Sequence, residues 1–294
     1  MAATTLTLSP VIKEILIMPD SMGTLFLCAT PIGNLEDITL RVLRTLEEVD
    51  RIYCEDTRHS IHLLNHYNIK KPLLSFHEHS SQDSLQQLLA YLKQGENLAY
   101  ISDAGMPGVS DPGYELVQAC QRENIPYTVL PGASASLTAL VLSGFPSDRF
   151  LFEGFLPRSG KERNQRLESL DHCPATAIIY ESPHRLKASL GNFAKRWPER
   201  KVACCREISK KFEEVKTGSV EELYAYYDAH PPRGECVILL YPEKKERETL
   251  SLTQAIDQAQ SLIDQGMSMN AAAKELAKST DFSKRELYQG LLDQ

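Results

Sequence analysis

The sequence predicts an α/β protein of two domains, followed by a small helical appendage. Three observations predict it. From Gly23 to Leu130, short apolar runs alternate with amphipathic helical stretches. After a Gly- and Pro-bearing segment at Gly144–Asp148, the alternation resumes with more closely spaced strands. From residue 251 only helical patterns remain. A chain of 294 residues is long enough for two cores of ordinary size.

Gly23–Thr30 is a run of buried-strand character, and Thr39–Val49 reads as a helix with Leu40, Leu43 and Leu46 on one face. Arg51–Cys54 is the next strand and Ser81–Lys93 the next amphipathic helix. Strand Asn97–Ser102, helix Tyr114–Gln121 and strand Tyr127–Leu130 follow. Strands separated by helices predict a mainly parallel sheet covered on both faces. In the second unit, Phe150–Phe155, Thr176–Tyr180, Val202–Arg206, Glu213–Thr217 and Cys236–Tyr241 read as strands. Helices over Glu162–Leu170, Leu186–Trp197 and Val220–Tyr227 lie between some of them, which predicts a mixed sheet. Asn270–Lys278 and Ser283–Leu292 flank a turn at Ser279–Asp281, in the manner of a helix-turn-helix. The expected layout is a leader over 1–22, a first domain over 23–143, a linker at 144–149, a second domain over 150–242 and a tail over 251–294. Pro242–Glu248 forms a charged connection.

Composition narrows the function. No stretch approaches the roughly 20 apolar residues of a membrane span, and no basic start precedes an apolar core as in a secretory signal. The seven cysteines are scattered and form no C-x-x-C pair, which suits a reducing, cytoplasmic setting without structural zinc. Net charge is −7, unlike a non-specific nucleic-acid binder. Yet residues 150–216 carry 14 basic against 9 acidic side chains. That segment is either a solvated face or a local phosphate-contacting surface.

Four loops after the first unit's strands are candidates for function, because ligands of open parallel sheets bind beyond the carboxyl ends of the strands. They are Thr30–Asp37, Glu55–Arg58, Asp103–Gly113 and Pro131–Ser136. The third packs three glycines, two prolines and two aspartates into eleven residues, a stiff loop that a ligand can approach closely. Dinucleotide, P-loop and nucleophile-elbow signatures are absent. His59, His62 and His66 have helical spacing, but without H-E-x-x-H they read as a polar helix face and not as a metal site. His77-Glu78-His79 would alternate faces in a strand and makes a poor chelate. In the second unit, Arg158, Lys161, Arg163 and Arg166 form a basic helix start. Glu181–Arg185 and Arg206–Lys211 mix carboxylates, an imidazole and cations, a composition for phosphate contacts and proton handling or for surface ion pairs.

Thr30–Thr39, Glu55-Asp56-Thr57-Arg58 and the Asp103–Gly113 loop resemble the ribosomal RNA small-subunit methyltransferase I family. This is the cytidine 2′-O-methyltransferase branch of the tetrapyrrole methylases. Gly154-Phe155-Leu156-Pro157, Glu181-Ser182-Pro183-His184-Arg185, Arg206-Glu207 and Gly234-Glu235 extend the resemblance over about Gly23–Tyr241. Two departures are Met106, where a threonine is usual, and Ala133, where proline is frequent.

The resemblance implies a two-domain tetrapyrrole-methylase-like (class III methyltransferase) fold with S-adenosylmethionine in the cleft between domains. It implies cofactor contacts at Pro31, Ile32, Asp103, Gly105, Met106, Ser134, Ala135, Tyr180 and Glu235. It further implies a homodimer acting on a cytidine in the decoding region of 16S rRNA, within the small ribosomal subunit. In such a reaction the protein aligns a ribose 2′-oxygen with a sulfonium methyl. Candidates for handling the proton are Asp56, Glu181, His184, Glu207 and Lys210, steadied by Arg58 or Arg185, and the sequence does not rank them. Arg158, Lys161, Arg163 and Arg166 would hold RNA phosphates. Two other readings stay open: a methylase of the same fold acting on a corrinoid precursor, and a non-catalytic rRNA-binding module.

Overall fold

A computed structural model describes residues 22–77, 80–243 and 250–293. The expected leader therefore lies almost wholly outside the described residues, as do Glu78, His79 and residues 244–248 of the charged connection.

The first sheet holds β1 (Leu25–Cys28), β2 (Arg51–Cys54), β3 (Leu73–Ser75), β4 (Leu98–Ile101) and β5 (Tyr127–Leu130). Their order is β3-β2-β4-β1-β5, and every pairing is parallel. All five carboxyl ends therefore open on one rim. β4 is buried along its whole length, as its unbroken apolar run requires. The connecting helices are α1 (Leu40–Glu48), α2 (Thr57–His66), α3 (Gln82–Lys93) and α4 (Tyr114–Arg122). Thr39, Asp56 and Ser81 cap the first three by accepting from backbone N–H groups of the first turn.

The second sheet holds β6 (Phe150–Phe155), β7 (Thr176–Glu181), β8 (Lys201–Arg206), β9 (Glu214–Ser219) and β10 (Cys236–Leu240), ordered β6-β7-β10-β8-β9. Only β6 and β7 run parallel, so the sheet is mixed, as expected. Its helices are α6 (Gly160–Leu170), α7 (Pro183–Arg196) and α8 (Val220–Ala229). Leu186, Leu190 and Phe193 of α7 and Leu223 and Tyr227 of α8 fill the core on one face.

The other face of this sheet takes α5 (Ala135–Ser143), the helix that follows β5 of the first sheet. Ala139 and Leu140 pack there against Ile178, Ala203 and Leu239, joined by Ile32 and Val237. This helix and β3 are the elements the sequence pattern does not announce. Ala135–Ser143 is apolar on nearly every side, so it has no amphipathic period, and β3 is only three residues long.

The tail forms three helices, α9 (Leu252–Asp264), α10 (Met269–Ser279) and α11 (Lys284–Leu292). They close on a core of their own, in which Ile256, Ala273, Leu276 and Leu287 meet. Among the described residues no helix is long and apolar enough to cross a membrane, and all seven cysteines are free and buried. Leu140→Ala removes the largest side chain of α5 from the seam between the sheets. It should lower unfolding stability by about 2–5 kcal/mol in urea titrations followed by circular dichroism.

Candidate active site

The rim of the first sheet is tied together by its own loops. Thr30 and Gly105 exchange two backbone hydrogen bonds, at 2.9 and 3.0 Å, joining the loops after β1 and β4. The Thr30 hydroxyl also donates to the Ser102 carbonyl at 3.2 Å. The loop after β2 joins them where the Asp56 N–H donates to Asp103 Oδ1 at 3.2 Å. A one-turn 3₁₀ helix, Leu35–Asp37, is capped by Asn34 and held down by the Tyr67 hydroxyl, which donates to the Leu35 carbonyl at 2.6 Å.

The second sheet contributes from above. The Ser209 hydroxyl donates to the Asp37 carboxylate across the gap. The Lys210 side chain lies over Gly33, where any Cβ would sit 2.3 Å from Lys210 Cγ, so only glycine fits beneath it. Lys210 Nζ donates to Glu207 Oε1 and Glu235 Oε2, each at 3.0 Å. Gly234 has φ +80°, and a Cβ there would meet the Glu207 carboxylate at 2.1 Å, so glycine is required a second time.

Between the two sheets lies a cleft of about 310 Å³ with mostly apolar walls, within the range of small-molecule sites. Ile32, Gly105, Met106, Ser134, Ala135, Tyr180 and Glu235, all expected at a cofactor, line it. Pro31 and Asp103, also expected there, instead line a neighbouring cavity of about 240 Å³. Ser110, Asp111, Phe155 and Val237 line the cleft without having been singled out. For Asp111 the signal is its place in the glycine-rich Asp103–Gly113 loop, whose two aspartates the sequence does not tell apart. Phe155 and Tyr180 meet edge to face at 5.6 Å and form one wall.

Electrostatics separate the carboxylates. Burial, reinforced by the Glu55 carboxylate, pushes Asp111 up to about 7, against a hydrogen bond from Ser102. Burial likewise raises Tyr180. Asp56 is the opposite case: hydrogen bonds from the Arg58 side chain and backbone hold it near 2. At Glu207 burial works against ionisation, but hydrogen bonds from Lys210 and the Glu235 N–H prevail and lower it. Burial opposes the Lys210 charge too, yet its two carboxylate partners keep the ammonium above its usual range.

The remaining sequence candidates fall in different places. Glu181 is 2 % exposed. It accepts from the Ser189 hydroxyl at 2.5 Å and the Ser182 N–H at 3.0 Å, and it pairs with Arg185 at 3.3 Å. Arg185 also donates to the Leu156 carbonyl, so the pair anchors the turn that carries Phe155. His184 is exposed and faces a groove beside Lys187 and Tyr224, outside the cleft. The expected phosphate-binding quartet is corrected in one member, Arg163. Arg163 is buried, with its guanidinium on the Pro157 carbonyl and the Ser189 hydroxyl, because its position on α6 turns inward. Arg166 is taken up by Glu153 and Glu162. Arg158 and Lys161 are exposed.

A parallel sheet and a mixed sheet thus enclose an apolar cleft with polar groups at its edge. The sequence profile of the tetrapyrrole (corrin/porphyrin) methylases matches residues 24–224. The chain is 43% identical over 270 residues to "Ribosomal RNA small subunit methyltransferase I" of Synechocystis sp., covering 91% of this chain and 97% of that one. It is 47% identical over 219 residues to the protein of that name from Thermotoga maritima, covering 74% and 98%. The chain belongs to the tetrapyrrole methylases and, within them, to the ribosomal RNA small subunit methyltransferase I family. Its fold is also that of a uroporphyrin-III C-methyltransferase from Thermus thermophilus, solved with S-adenosyl homocysteine. There the TM-score is 0.53 at 20% identity, over 74% of this chain and 97% of that one.

The raised Asp111 carboxyl has a consequence for stability. A group raised in the folded state stabilises the fold fully only below its ordinary range, and the contribution is lost as pH rises through about 7. Asp111→Asn should remove that loss, so its melting temperature gains on the wild type between pH 5 and 8. Parallel melting curves over that interval would show Asp111 to be unperturbed.

Proposed function

We propose that this protein transfers a methyl group from S-adenosylmethionine to the ribose 2′-hydroxyl of a cytidine in the decoding region of 16S rRNA. The observation that carries the reading is the cleft itself. Seven of the nine residues expected to hold the cofactor converge on it from four loops, one strand and one helix start, in a chain whose relatives are named for small-subunit rRNA methylation.

The residues present suit that cofactor. S-adenosylmethionine, when bound, supplies an electrophilic methyl on a sulfonium cation. Ile32, Ala135 and Val237 offer an apolar bed, and Ser134 and Glu235 offer polar contacts at its edge. Asp111, influenced by the Glu55 and Asp103 carboxylates, gives the cleft a negative potential that favours a cationic ligand and repels a phosphate. Among the candidate bases, Asp56 is locked as a carboxylate by Arg58, and Glu181 is committed to Ser189 and Arg185. Asp111, near 7, is the group matched to accepting a hydroxyl proton at neutral pH. Lys210, kept charged above Gly33, is placed to steady negative charge growing on the acceptor oxygen.

Arg158 and Lys161 supply exposed cations for RNA phosphates. An rRNA substrate, together with seven unpaired thiols, supports a cytoplasmic setting. Exposed apolar side chains on α5, on β6 and on the edge strand β5 support a surface that a second copy of the chain would cover. They are Leu137 and Val141, Phe150 and Leu151, and Val129.

Two measurements test the reading. Tritiated cofactor should label the RNA of small ribosomal subunits and leave tetrapyrrole precursors unlabelled; label in the tetrapyrrole alone defeats the RNA assignment. Val141→Asp, at a residue 76% exposed, should convert a dimer to a monomer in analytical ultracentrifugation. A wild type that sediments as a monomer removes the dimer.

A further inference from the structure

The Thr30–Gly105 ladder is a wall with a cavity on either side. Residues divide across it: Ile32, Ala104 and Gly105 line the cofactor cleft, while Thr30, Pro31, Gly33, Ser102 and Asp103 line the neighbouring cavity of about 240 Å³. Helix α2 closes the far side with His59, Ser60, His62 and Leu63. We propose that this second cavity receives the base of the target nucleoside, a pyrimidine splayed out of single-stranded RNA. The inference rests on the rRNA reading above.

Three observations point the same way. The Ser60 hydroxyl is buried, in a residue 2 % exposed, and has no nitrogen or oxygen partner. Its polar neighbour is the Cys54 thiol, a weak acceptor. A buried hydroxyl left in that state costs free energy that a ligand's hydrogen bond would recover. Pro31, Leu35 and Leu63 supply apolar walls for a flat ring. His59 and His62 are exposed at the mouth, and imidazoles of that kind stack on unpaired bases. The histidines that read as a polar helix face thus border a cavity next to the methyl donor's cleft.

The chemistry also selects among parts of an RNA. None of the described lining residues is Lys or Arg, so the cavity does not suit a phosphate. The Asp103 carboxylate, anchored through Oδ1 by the Asp56 N–H, suits an exocyclic amine donor. Beside it, the Ser60 hydroxyl can serve the ring's acceptor edge. An amine donor next to ring acceptors is the edge that cytosine presents. With the base on this side of the wall, the attached ribose reaches the wall's crest, over which Lys210 extends.

The test is a double variant, His59→Ala with His62→Ala, assayed for methyl transfer to small-subunit rRNA. The KM for RNA should rise about tenfold, the loss of one base stack. Affinity for S-adenosylmethionine by calorimetry and the melting temperature should stay unchanged. His66→Ala, on the same helix but outside the cavity, should leave KM at the wild-type value. An unaltered KM in the double variant overturns the assignment and leaves the rRNA reading standing. A parallel loss of S-adenosylmethionine affinity also overturns it, by giving the cavity to the cofactor. A wild-type protein that transfers no methyl to rRNA removes the reading and this proposal together.

Discussion

The cleft depends on the apolar seam where Ala139 and Leu140 of α5 meet Ile178, Ala203 and Leu239. Its helix leaves the first sheet directly from a rim loop and enters the second sheet's core. The loop Pro131–Ser134 is therefore held at both ends, by β5 and by the seam. Ile32 and Val237 extend the same apolar cluster to the cleft floor. Packing between the sheets and the shape of the site are thus one construction, and neither can relax without the other.

Polar contacts then assign roles to chemically similar groups. The carboxylates around the cleft differ in what surrounds them. Arg58 keeps Asp56 ionised, Ser189 and Arg185 absorb Glu181, and Lys210 pairs with Glu207 and Glu235. Asp111 lacks a cation and is buried near Glu55, so its proton is held to about 7. The same logic divides the arginines. Arg163 and Arg185 stiffen the Phe155–Pro157 turn through Pro157 and Leu156 carbonyls. Arg158 remains at the surface.

The rim also separates two ligand environments with little material. One pair of backbone hydrogen bonds, Thr30 to Gly105, holds two loops side by side. On the first loop Pro31, Ile32 and Gly33 then alternate between the two sides, and the second loop crosses from one side to the other between Asp103 and Ala104. Glycine at 33 and 105 keeps the wall thin, so groups bound on its two sides can approach each other.

How much of this was legible depends on whether the governing force is local. Strands such as Arg51–Cys54 and Phe150–Phe155 are legible to the residue, because each is a short run of strand-favouring apolar and aromatic side chains. The rim loops stood out for their Gly, Pro and Asp content, and the family resemblance named most of the cleft's lining. Helix Ala135–Ser143 stayed invisible, because a helix buried against a second sheet and exposed as an apolar face has no polar period. Arg163 was misplaced because a basic helix start looks solvated until the core beneath it is known. Asp111 could not be told from its neighbours, since a carboxyl's proton affinity is set by distant residues packed around it. The two α/β units, the rim loops and the family are written in local pattern along the chain. Which charges are paired, which are buried and which cavities His59, His62 and His184 border follow from packing, because burial and Coulomb forces act through space and not along the chain.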